Sequence, residues 1–143
     1  MTMNDRVITD ATTLFGAPSL RRFKIIGPLP VRGQPEGMYV RIRSLTERES
    51  SEYQAKLVAK KGDGLRTERL KDANRRLIAL CLVDGDGNTY VTPAMQTQMA
   101  DWDAADTGFL YSECATHCGL STSDIEDLVK NSEGTTVADS PSD

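Results

Sequence analysis

Hydrophobic and polar positions divide the chain into short strand-like groups followed by helical stretches. Residues 1–19 hold no sustained period, and Thr12, Thr13, Gly16, Pro18 and Ser19 interrupt it further, so this stretch reads as a flexible arm. Phe23, Ile25 and Ile26 predict a strand over 22–26, ended by Gly27, Pro28 and Pro30. Gly33, Pro35 and Gly37 make a turn-rich connector. Over 38–43, Val40 and Ile42 alternate with Tyr39, Arg41 and Arg43, the period of two of a half-buried strand. Thr46 and Glu49 have the spacing of a capping box, in which the threonine hydroxyl accepts the Glu49 amide and the glutamate reaches back. That predicts a helix over 47–60, weakened by Ser50 and Ser51 and closed by Lys60-Lys61-Gly62-Asp63-Gly64.

Residues 65–75 are charged and can continue as helix, whereas 77–83 is an unbroken apolar run. Such a run suits either a buried strand or the last turns of a helix. The Asp84-Gly85-Asp86-Gly87-Asn88 turn and Thr89-Tyr90-Val91 beyond it favour a hairpin. From Thr92 the pattern turns helical. Thr92 can cap a helix with Pro93 at its first position. Asp103 can open a second helix through Phe109, Leu110 and Cys114, ended by Gly119 as a left-handed cap. Ser121 and Asp124 bracket the start of a third over 122–130, with Ile125, Leu128 and Val129 as its apolar stripe. Residues 131–143 are polar and aperiodic, the pattern of a disordered tail. The reading is an α+β fold: a small antiparallel sheet of N-terminal strands plus the hairpin around 84–88, packed with helices, and helical toward the C-terminus. A single domain would span 20–130, with strands and helix over 20–91 and acidic helices over 92–130.

Composition narrows the class. With 143 residues, 38% hydrophobic and 27% charged, the chain suits one soluble domain, and eight aromatic residues allow only a modest core. No run approaches the roughly 18 apolar residues of a membrane span, and Met1 to Arg6 lack the apolar stretch of a secretory signal. Cys81, Cys114 and Cys118, an odd set, read as free thiols in a reducing cytosol. The net charge of −4 conceals a split. Residues 1–76 carry 16 Lys and Arg against 9 Asp and Glu, a balance of +7, and residues 77–143 carry one Lys against 12 acids, a balance of −11. Either the halves attract each other within the fold, or the acidic half awaits a basic or helical partner.

Asp84, Asp86 and Asn88 have the one-three-five spacing of a calcium loop, but Thr89 stands where a glycine is required and Met95 where a bidentate glutamate is required. Asp and Gly alternating here serve a tight turn instead. Cys114, His117 and Cys118 fall on one side of a helix, yet they lack a fourth zinc ligand and the hairpin knuckles of zinc sites. A Cys–His nucleophile pair would also need an oxyanion loop that no segment supplies. Residues 60–64 lack the spacing and ending of a phosphate loop. The basic residues over 21–76 are interrupted by Glu47, Glu49, Glu52, Glu68 and Asp72, which argues against nucleic acid. Trp102, between Asp101 and Asp103, is either a core anchor at a helix junction or a binding anchor. No catalytic, cofactor-binding or metal site emerges, and a non-enzymatic binding protein is expected.

The order of these segments resembles the tail assembly chaperones of long-tailed, siphovirus-type bacteriophages and prophages. The resemblance covers roughly residues 36–131. It rests on Val40-Arg41-Ile42-Arg43-Ser44-Leu45-Thr46 before a polar helix, the apolar Leu80 to Val83, the Asp84 to Asn88 turn, Thr89 to Val91, and Gly119-Leu120-Ser121-Thr122-Ser123-Asp124-Ile125-Glu126-Asp127-Leu128-Val129-Lys130-Asn131. Trp102 and the long N-terminal arm depart from the pattern. The resemblance implies a non-catalytic role in the host cytoplasm during tail morphogenesis. Its partners would be the long helical tape measure protein and the major tail protein, with absence from the mature virion and commonly a frameshift-extended longer form. A structural tail or head–tail joining protein retained in the virion is the alternative. Met95, Met99 and Phe109 suit an apolar groove for partner helices, since methionine adapts to varied surfaces, and equally suit a core.

Overall fold

In a computed structural model of the chain, the described residues are 6–18, 20–57, 66–121, 123–125 and 127, with backbone alone described over 66–71. The architecture is α+β. Three antiparallel strands, β1 (Phe23–Ile26), β2 (Val40–Arg43) and β3 (Leu82–Val83), lie in that order with β2 central. The helices are α1 (Ala11–Gly16), α2 (Glu47–Ala55), α3 (Arg66–Cys81), α4 (Pro93–Gln98) and α5 (Ala104–His117), with a 3-10 turn at Met99–Asp101. Ile26 pairs with Val40 and Ile42 with Leu82, so alternate residues of all three strands face the core. There they meet Tyr53, Leu57, Leu77, Ile78, Leu110, Cys114 and Ile125. The opposite sheet face leaves Phe23, Ile25 and Tyr39 exposed.

Local chemistry accounts for most element ends. Thr46 and Glu49 form the capping box, with both reciprocal hydrogen bonds present. Tyr53, buried on α2, donates its hydroxyl to the Ala73 carbonyl and ties α2 to α3. Thr92 caps α4 with Pro93 in the first turn, and Asp103 caps α5 through the Ala105 amide. The end of α5 is a Schellman motif: Gly119 at φ +77° donates to Thr116, and Leu120 donates to Ala115. Ser121 accepts the Asp124 amide and starts a further helical turn that buries Ile125.

The run over 77–83 divides. Its first five residues complete α3, and only Leu82 and Val83 form a strand. Ala73, Leu77, Ile78 and Cys81 are all buried, the i, i+4, i+5, i+8 spacing of a helical face, which appears only once Ala73 is read with the run. The hairpin expected beyond it is one bridge, Val83 to Thr89. The N-terminal arm holds the six-residue α1, capped by Asp10 and without a buried residue. The expected loop at 60–64, the stripe residues Leu128 and Val129, and the tail at 131–143 lie outside the described residues. No helix among the described residues is long and apolar enough to cross a membrane.

Candidate functional site: an apolar groove

The Asp84 to Asn88 turn is held by its own first side chain. Asp84 Oδ1 accepts the amides of Asp86 at 2.8 Å and Asn88 at 3.0 Å, and Gly87 takes φ +86° to close the turn. Those amides, Asn88 first, hold the Asp84 carboxyl below its ordinary range. From the neighbouring strand, Arg41 donates to the Gly85 carbonyl and stacks on Phe23. The turn is thereby a structural hinge.

The helical side that carries Cys114, His117 and Cys118 is split between two neighbours. Cys118 Sγ lies 3.6 Å from Cys81 Sγ, so the two meet where α3 and α5 pack, and Cys114 is fully buried beside them. All three thiols are free. Hydrogen bonding within the cluster, first to Cys114, together with burial, pushes Cys81 up; the bond to Cys81, and then burial, does the same to Cys118. They pack as small hydrophobes held in the protonated form. His117 turns elsewhere: its Nε2 donates to the Arg22 carbonyl, while Arg22 donates to the His117 carbonyl. Several described basic residues before residue 76 are engaged in the fold as well. Arg21 forms a two-pronged pair with Glu49, Arg43 donates to the Leu80 carbonyl, and Lys24 pairs with Glu113.

An apolar groove of about 330 Å³ lies where the sheet, the β1–β2 loop and α4 meet. Leu29, Val40, Leu82, Met99 and Leu110 belong to the core and give it an apolar floor, and Met38, Tyr90 and Met95, each more than 40% exposed, stand at its surface. Trp102 is half-buried in its wall with the Arg32 guanidinium 4.1 Å above the ring centre. Met99 and Trp102 also line a second hollow of about 250 Å³ beside Asn74 and Arg75. Thus Met95 and Met99 come together as expected, whereas Phe109 packs against the core away from the groove lining. Trp102 is at once part of the core margin and part of the groove.

Asp106 is the residue that sequence reasoning missed. It is wholly buried on α5, and its carboxylate accepts the amides of Val31 at 2.8 Å and Arg32 at 3.0 Å, fixing the β1–β2 loop as one groove wall. The loop is braced internally by Leu29 donating to the Met38 carbonyl and Gly37 donating to Gly33. A signal was present: Asp106, Leu110 and Cys114 share the four-residue spacing of the buried stripe of α5, so an acid stood on an apolar face. Among known proteins, the chain matches no protein-family model, no curated protein and no solved structure.

Proposed function

We propose that the chain is a non-catalytic tail assembly chaperone of a long-tailed phage or prophage, acting in the host cytoplasm. On this reading it holds the tape measure protein in a soluble form and helps recruit major tail protein to it. The observation that carries the reading is the methionine-lined groove beside Trp102, taken with the ordered resemblance from Val40 to Asn131. A chaperone for long helical clients needs an exposed apolar slot with adaptable walls, and thioether side chains supply that. Co-expression with the tape measure protein encoded beside it should raise the client's solubility and yield a co-purifying complex. No rescue and no complex would refute the reading.

A second reading, a structural tail or head–tail joining protein retained in the particle, draws support from a different surface. Ile25 and Tyr39 lie exposed on the outer sheet face beside Phe23, which Arg41 partly covers, and Leu14, Phe15 and Leu20 are exposed before it, as permanent assembly contacts would require. Mass spectrometry of purified virions separates the two, since stoichiometric presence fits only the structural role.

A further inference from the structure

We infer that the groove binds a small apolar carboxylate, its chain among the methionines and its head on Arg32. The inference goes beyond the chaperone reading and stands without it.

Charge in the lining is the first ground. Arg32 is the one charged residue that lines the groove, and no acid does. Of the two acids beside Trp102, neither belongs to the lining, and Asp103 is turned to the Ala105 amide as a helix cap. Around the sheet, Arg21, Arg22, Arg41 and Arg43 each donate to an oxygen of the protein. Arg32 differs. Its guanidinium lies 4.1 Å from the centre of the Trp102 ring, and among the described residues no carboxylate or carbonyl accepts from it. A guanidinium carries five N–H donors in a fork that matches the two oxygens of a carboxylate.

The second ground is that this cation is positioned in advance. The Arg32 amide is held at 3.0 Å by the buried Asp106 carboxylate, and the Val31 amide beside it at 2.8 Å. With the backbone fixed by Asp106 and the head resting on Trp102, little freedom is left to lose on binding.

Size and polarity are the third ground. A volume of about 330 Å³ lies at the lower end of small-molecule sites. At roughly 30 Å³ for a water-sized group, that is room for about ten non-hydrogen atoms. Apart from Arg32, only Gln98 and the Tyr90 hydroxyl interrupt a lining of aliphatic, thioether and indole groups. Such a site suits a ligand with one polar end, a medium-length aliphatic or single-ring carboxylate.

Trp102 is the one tryptophan of the chain, so its emission reports on this groove directly. The test titrates the full-length protein with octanoate, octan-1-ol and octylammonium, with calorimetry for affinity and Trp102 emission for location. Octanoate should bind saturably, shift the emission, and bind at least about tenfold more tightly than the alcohol or the amine. Arg32→Gln, at an exposed side chain, should bring octanoate down to the level of the alcohol. Arg32→Lys, which keeps the charge and loses the fork, should fall between, and it carries the test if Arg32→Gln lowers the thermal midpoint. Met95→Glu sets an acid in the lining and should weaken octanoate more than the alcohol. Equal binding of octanoate and octan-1-ol, affinity that both Arg32 variants leave unchanged, or no binding would each overturn the inference. Without octanoate binding, emission that varies with protein concentration would give the groove to a second copy. Shielding of Trp102 by the tape measure protein would likewise give it to the client. Co-purification alone tests the chaperone reading, so the two can fail separately.

Discussion

Two carboxylates, Asp106 and Glu49, hold parts of the molecule together in different ways. Asp106 is buried and accepts two backbone amides of the β1–β2 loop, so removing it orphans Val31 and Arg32 at once. Asp106→Ala should lower unfolding free energy by about 2–3 kcal/mol, measured by urea denaturation, and should red-shift Trp102 as Arg32 is released from the ring. Glu49 instead joins Arg21, Arg43 and its own helix cap. Its carboxyl is brought down to about 2 from 4.5, chiefly by the hydrogen bond from Arg21, with the Thr46 amide and Arg43 adding to it. Because the folded value lies below the unfolded one, the stabilisation is complete above about pH 4.5 and fades as pH falls toward 2. Its side chain is about a quarter exposed, so solvent screening limits the effect. Glu49→Gln should cost about 1–2 kcal/mol at neutral pH. Chemical denaturation across pH should show the two proteins converging near the acid end of that window.

Among the elements, those with a local chemical signature were legible in the sequence, and those defined by distant packing were not. The box at Thr46, the Thr92-Pro93 start, the Asp103 cap and the Gly119 stop are fixed within four residues, and each stands where the residues placed it. The boundary at Cys81 is different. Leu77 to Val83 are uniformly apolar, so nothing within the run marks where helix gives way to strand, and that point is decided by β2 pairing with Leu82 and Val83. The groove was half legible: Met95, Met99 and Trp102 are close in sequence, but Leu29, Met38 and Val40 reach it across the sheet from the other half of the chain. A paired substitution tests the Gly119 stop. Gly119→Ala meets no neighbouring atom, so its cost of about 1 kcal/mol is the left-handed backbone alone. Gly108→Ala, within α5 and equally open, should stabilise by up to about 1 kcal/mol. Opposite shifts of thermal midpoint would confirm that glycine is required past the end of α5 and costs stability inside it.

For the whole molecule, the basic and acidic parts of the sequence meet in the fold chiefly through arginines on backbone carbonyls. Lys24 meets Glu113, the one ion pair between the halves among the described residues, while Arg22, Arg41 and Arg43 reach backbone carbonyls at His117, Gly85 and Leu80 and leave the other described carboxylates of the acidic part unneutralised. The acids at 84, 86, 101 and 103 remain at the surface, where a partner of opposite sign would be steered.

The Asp106 carboxylate also bears on what happens when the groove is vacant. An apolar slot whose walls touch only through hydrophobic side chains tends to fall shut in water, because closing it removes the same surface that a guest would. Here the α5 side and the loop side are tied by two hydrogen bonds that loop amides donate to the Asp106 carboxylate. On the chaperone reading, a groove held in that way would meet a client already shaped to receive it.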